Sequence, residues 1–185
     1  MNLRIDTTQG LLIGARQVAS PNQDARPSGA EISLLVLHGI SLPPGEFGGP
    51  FIDRLFTNTL DPEAHPYFRE IHALRVSSHL LIRRDGEVVQ YVPFHSRAWH
   101  AGSSCHDGRE ACNDFSIGIE LEGTDTTPYA EAQYRVLERL LPLLRSAYPA
   151  IGPQDVVGHC HIAPERKTDP GPAFDWARLG RPDLA

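Results

Sequence analysis

Residues 158–176 read GHCHIAPERKTDPGPAFDW and gather two histidines, a cysteine, a lysine and two aspartates into a segment with three prolines. The stretch has neither helical nor strand periodicity. A solvated loop would carry such charges without needing His159, Lys167 and Asp169 together. Far upstream, the apolar run LLVLHG ends on His38, as VVGH ends on His159. A histidine at a strand terminus is held by the sheet yet opens onto a loop. Two imidazoles and one carboxylate, with a fourth position left to water, make up the donor set of many catalytic zinc sites. A metal there would bring the pKa of bound water to about 7 and polarise a carbonyl.

Spacing alone leaves the ligand set open. Any one of the nine histidines is more often a hydrogen-bonded structural residue than a ligand. The positions form no compact motif such as H-E-x-x-H. In an extended HCH segment His161 would point to the same side as His159, and Cys160 is a further soft donor. Two more groups bear on the chemistry. Alternation along SIGIELEG puts Glu120 and Glu122 on one strand face, where they are either a solvated acid pair or a source of a general base. Lys167 is commonly a surface cation, but beside a metal it would suit the oxyanion of an attacked amide.

The elements that must position these groups follow from local pattern. ISLLVLHG, residues 32–39, has the length and apolar continuity of a buried central strand. DPEAHPYFREIHAL opens like a helix, with Asp61 as N-cap and Pro62 at the first helical position, and Pro66 interrupts it. Residues 76–94 form a hairpin turning at Asp85-Gly86. DFSIGIELEG is a second interior strand. Thr127 and Pro128 open a helix whose Leu137, Leu140, Leu141, Leu144 and Tyr148 keep helical spacing, with a kink expected at Pro142. QDVVGH is a short strand delivering His159, and PAFDWARL closes the chain as a short helix. Interspersed strands and helices predict an α/β fold, a central mixed sheet flanked by helices in one domain over residues 1–185.

The totals narrow the function. At 185 residues the chain can bury a real core. A formal net charge of −6 argues against a general nucleic-acid or anionic-membrane binder. No stretch approaches the roughly 20 apolar residues that span a bilayer, and the N-terminal MNLRIDTTQGLLIGARQV does not read as a signal peptide. Three cysteines without a CxxC pair suggest reduced thiols in a cytoplasm.

Four segments, LLVLHGISLPPGEFGGP, RAWHAG, CNDFSIGIELEGTD and GHCHIAPERKTDPGPAFDW, together resemble the AmpD-type N-acetylmuramoyl-L-alanine amidases of the amidase-2 and peptidoglycan-recognition group. The resemblance runs from about Gly10 to Arg178. It implies zinc ligands at His38, His159 and Asp169, a catalytic carboxylate at Glu120 and an oxyanion-side lysine at Lys167. It also implies a cytoplasmic enzyme cutting the amide between the lactyl group of 1,6-anhydro-N-acetylmuramic acid and L-alanine, with a small muropeptide as its partner. Gly39, Arg75, Trp99 and Ala101 fall in the family's groove for sugar and stem peptide. Two positions depart from the usual pattern: Gly39 replaces an Asn, and His161 replaces an Asp. A non-catalytic muropeptide-binding module, an amidase acting on polymeric peptidoglycan and a two-histidine, one-carboxylate iron oxygenase are the competing readings. All five chemical positions are present, which weighs against the first. The missing His-x-Asp/Glu pair weighs against the last.

Overall fold

A computed structural model describes residues 2–184. Its centre is a six-stranded mixed sheet built from β1 (Arg16–Gln17), β2 (Leu34–Ile40), β3 (Leu80–Ile82), β4 (Val88–Gln90), β5 (Ser116–Glu122) and β6 (Val156–Gly158) in the order β6-β2-β5-β3-β4-β1. The four strands from β6 to β3 are mutually parallel, β3 and β4 form the antiparallel hairpin expected around Asp85-Gly86, and β1 joins β4 in parallel. The predicted central strands are thus β2 and β5, neighbours in the sheet.

Period-two alternation sorts each strand between two layers. Leu35 and Leu37 of β2 and Ile117, Ile119 and Leu121 of β5 share one core with Leu137, Leu140, Leu141 and Leu144. Those leucines belong to α3 (Glu131–Ala147), the helix expected after Pro128. On the other face, Leu81 and Val89 share a core with Ile52, Leu55 and Phe56 of α1 (Phe51–Phe56) and Phe68 of α2 (Phe68–Ile71). His38 and Glu120 occupy the alternate positions of their strands, so both face away from α3.

Three local expectations are corrected. The helix expected from Asp61 shrinks to the single turn α2, preceded by turns in which Asp61 Oδ1 accepts from the Glu63 N–H at 2.9 Å. Pro66 explains this, since it supplies no N–H and biases His65 away from helical ψ. The segment after β6 is not extended. His159 begins a short helix, α4 (His159–Ile162), and the His161 ring closes its first turn by accepting the Gly158 N–H at 2.8 Å. The closing helix is a 3₁₀ turn, Trp176–Leu179, in which Asp175 Oδ1 accepts from the Ala177 N–H. α3 itself continues through Pro142, which is exposed, so the Glu138 carbonyl left without an intrahelical partner lies where water can reach it.

The N-terminus of α3 is tied to the sheet by one fully buried amide. Gln133 Nε2 donates to Ile82 O at 3.0 Å and Glu122 O at 3.1 Å, while Oε1 accepts the Ala130 N–H at 2.9 Å. Gln133→Met, close in shape, should leave these three backbone groups without partners. Each orphaned buried group costs about 1–3 kcal/mol, so chemical denaturation should show a clear loss of stability. An unchanged midpoint would mean that the amide is replaceable by water.

Candidate metal and catalytic centre

Strand register decides which side chains meet. In the parallel ladder His38 lies opposite Glu120, and Gly158 lies opposite Leu37, so His159 begins level with His38. Neighbouring strands are about 4.8 Å apart. His159, His38 and Glu120 therefore form a row across the carboxyl ends of β6, β2 and β5, where open α/β sheets place their ligands. Asp169 reaches the row from the Pro-rich loop. That loop is stitched back by the Cys160 N–H donating to Asp169 O at 2.9 Å.

Three atoms converge. His38 Nδ1 is 2.9 Å from His159 Nδ1, and Asp169 Oδ2 is 3.2 Å from each of them. Tetrahedral zinc with bonds of about 2.0–2.1 Å separates its donors by roughly 3.3 Å. His159 Nε2 lies 3.1 Å from Ala101 O, a group that only accepts. Nε2 therefore carries a proton, and in the neutral ring Nδ1 presents a lone pair to the cluster. Burial lowers the His38 pKa to about 4 despite the opposing pull of Asp169, so that ring is neutral at pH 7. Burial alone would raise the Asp169 carboxyl, but the two imidazoles against it prevail and hold it well below the usual carboxylate range. His38 Nδ1, His159 Nδ1 and Asp169 Oδ2 thus aim at one point. Such a focus of lone pairs suits a divalent cation, and the residues present fit zinc. His38, His159 and Asp169 form the one group of potential metal donors among the described residues.

The competing donors turn elsewhere. His161 packs edge-on against Trp176 with ring centroids 5.4 Å apart, its Nδ1 already engaged by Gly158. Cys160 is half-buried and lines a separate cavity with His161, Phe174 and Trp176.

The two glutamates are both buried, which corrects the alternative of a solvated acid pair, and they have opposite surroundings. Glu122 accepts the Gly48 N–H at 2.6 Å and the Arg84 N–H at 3.3 Å, and pairs with Arg83 at 3.3 Å. Glu120 Oε2 is buried without any hydrogen-bond partner. Burial and then the charge of Asp169 raise the Glu120 carboxyl well above its usual range, with Lys167 opposing. Glu120, Lys167 and the three donors line one cavity of about 220 Å³, walled by Leu55, Leu74 and Val76. A groove of about 480 Å³ continues from it past Gly39 and Ile40 to Ser41, Tyr67 and Thr124.

The remaining predicted positions are scattered. Gly39 lines both the cavity and the groove. Arg75 is exposed and folds back onto its own segment, donating to Ala73 O at 3.1 Å and Leu74 O at 3.3 Å. Trp99 is half-buried, and its backbone N–H donates to Ser77 Oγ at 3.1 Å. The Ala101 side chain is fully buried, and its carbonyl serves His159 and Arg166 Nη2 instead. Tyr129 escaped the sequence reading. Its ring occupies the space left by two strand-end glycines, Gly39 and Gly123, and its hydroxyl donates to Pro170 O at 2.9 Å, next to Asp169. A Cβ on residue 39 would stand 2.5 Å from that hydroxyl. The two glycines were the available signal, although nothing in one dimension says which ring fills the gap.

The family profile for N-acetylmuramoyl-L-alanine amidase matches residues 28–172, spanning every residue of this centre. The chain belongs to that family. It is 66% identical over 171 residues to the 1,6-anhydro-N-acetylmuramyl-L-alanine amidase AmpD of Escherichia coli (strain K12), covering 92% of this chain and 93% of the relative. A crystal structure of a Se-Met AmpD derivative superposes with a TM-score of 0.91 at 64% identity, over 95% of this chain and 97% of that one. The amidase AmiD from E. coli, solved with the substrate anhydro-N-acetylmuramic acid-L-Ala-D-γ-Glu-L-Lys, matches with a TM-score of 0.60 at 30% identity, over 86% of this chain and 61% of that one.

The contrast between the glutamates has a measurable consequence. A carboxyl whose folded pKa is raised binds its proton more tightly in the fold, so it detracts from stability once the pH exceeds its unfolded value. Metal-free Glu120→Gln should therefore be at least as stable as the parent at pH 7. Glu122→Ala should lose about 3 kcal/mol or more, because it strips a buried carboxylate from Arg83 and two backbone donors. Denaturant midpoints at pH 7 check both. The reverse order would mean that Glu120, not Glu122, is the structural acid.

Proposed function

We propose that the chain is a single-domain, zinc-dependent amidase that cleaves the bond between the lactyl group of 1,6-anhydro-N-acetylmuramic acid and L-alanine in muropeptides of cell-wall recycling. The observation that carries this reading is the partnerless Glu120 Oε2 in the same cavity as a three-donor, lone-pair-rich cluster. The names of the similar enzymes support the choice of substrate. Three free thiols at Cys105, Cys112 and Cys160 support a cytoplasmic setting, and no helix among the described residues is long and apolar enough to cross a membrane.

His38, His159 and Asp169 would hold the metal. When bound, zinc supplies Lewis acidity for the scissile carbonyl and for water. Glu120 Oε2, free of competing hydrogen bonds, takes the proton of the attacking water. The raised affinity of this carboxyl for a proton suits it to hold that proton and return it to the leaving L-alanine nitrogen. Lys167, on the cavity wall, faces the charge that develops on the carbonyl oxygen. Leu55, Leu74 and Val76 limit water around the reacting bond. The groove past Gly39 has room for the sugar and stem peptide.

Mass analysis of products from a defined anhydro-muropeptide tests the proposal. Free peptide and free anhydro-sugar should appear, a chelator should stop the reaction, and zinc should restore it. Alanine at His38, His159 or Asp169 should remove metal and activity together, whereas His161→Ala should keep both. Glu120→Ala and Lys167→Ala should keep zinc while kcat falls by about 10²–10³. Tight binding without cleavage would favour a recognition module, and equal rates on monomers and intact sacculi would overturn the recycling assignment.

A further inference from the structure

The two imidazoles of the cluster are fixed in different ways. His159 gives its Nε2 proton to a carbonyl, so its tautomer has one choice. His38 Nε2 instead lies 2.9 Å from His100 Nδ1, and His100 Nε2 lies 3.1 Å from Ser116 Oγ. Neither neighbour dictates a direction. An imidazole can accept at either nitrogen while donating at the other, and a hydroxyl both donates and accepts. The chain of bonds His38–His100–Ser116 can therefore run either way with both nitrogens of the His100 ring satisfied.

The arrangement is purpose-shaped in its packing. A Cβ at residue 118 would stand 2.5 Å from the His100 ring, so that ring fits only over Gly118. Asn113 Oδ1 accepts the N–H groups of both His100 and Ala101, at 3.1 and 2.8 Å, and holds the backbone beneath the ring. Ser116 and Gly118 are the two residues that precede Glu120 on its face of β5. One strand therefore carries the relay terminus, the space for the ring and the catalytic carboxylate.

We propose that His100 and Ser116 are positioning residues forming a reversible tautomer relay that turns the His38 lone pair toward the metal as it binds. The inference rests on the assignment of His38, His159 and Asp169 as metal ligands. Without metal, the His159 Nδ1 lone pair is 2.9 Å from His38 Nδ1, which favours a proton on the latter. His38 Nε2 then accepts from His100 Nδ1–H, and the Ser116 hydroxyl donates to His100 Nε2. With metal, His38 Nδ1 must be bare. His38 Nε2–H then donates to His100 Nδ1, and His100 Nε2–H donates to Ser116 Oγ. Each ring keeps one proton in both states. Solvent exchange returns to His100 Nε2 the proton lost from His38 Nδ1, the His100 Nδ1 proton passes to His38 Nε2, and the hydroxyl rotates from donor to acceptor.

Histidine ¹⁵N–¹H NMR on the full chain, with and without zinc, reads the relay directly. His38 should carry its proton on Nδ1 in the metal-free protein and on Nε2 in the loaded one, whereas His159 should remain Nε2–H whenever it is neutral. Outer hydrogen bonds to a ligating histidine are typically worth 10–100-fold in metal affinity. Ser116→Ala should weaken zinc binding by about tenfold and His100→Leu by about ten- to a hundredfold. His100→Gln, whose amide can accept from His38 and donate to Ser116, should recover most of that loss. If His100→Leu does not fold, Ser116→Ala carries the same comparison with almost no change in volume. Zinc binding with an unchanged His38 tautomer, or wild-type affinity in Ser116→Ala, would overturn the relay alone. Absence of stoichiometric zinc in the parent protein would instead overturn the ligand assignment beneath it.

Discussion

Three lone pairs within about 3 Å of one another, on His38, His159 and Asp169, repel unless a cation or a proton lies among them. This crowding governs the architecture around it. It is tolerable because β2 and β6 fix two of the rings at the ends of buried strands, and because the third donor arrives on a loop tied to the Cys160 backbone and to Tyr129. The energy that assembles the cluster comes from elsewhere, chiefly the leucine-rich face of α3 against the sheet.

Placing Glu120 beside this cluster is a matter of register. One residue of slip between β5 and β2 would exchange Glu120 for Ile119 or Leu121 on the cavity face. Glu122, two positions on, shares that face but is saturated by Arg83, Gly48 and Arg84. One strand thus offers two carboxylates for different work. The one with partners anchors structure, and the one without them retains its capacity to take a proton.

Much of this was legible in the sequence because the relevant signals are local. The apolar run to His38, the Asp85-Gly86 turn and the helical leucines of α3 each declare an element within a few residues. His38, His159, Asp169, Glu120 and Lys167 were named from strand ends, loop composition and family resemblance, and the structure gathers all five around one cavity. What local pattern could not give was three-dimensional satisfaction. The His161 ring closes a helical turn instead of lying on an extended strand, because the Gly158 N–H needs an acceptor. Ala101 acts through its carbonyl, and Tyr129 fits above two glycines more than eighty residues apart in the chain. Such roles depend on which distant atom is left unpaired, and side-chain type does not encode that.

X-ray absorption on the zinc-loaded protein tests the central claim most directly, because it counts and identifies the donors. The account predicts two imidazole nitrogens and oxygen neighbours at about 2.0–2.2 Å, with no sulfur shell. A sulfur scatterer near about 2.3 Å, or a third imidazole, would place Cys160 or His161 on the metal and contradict it.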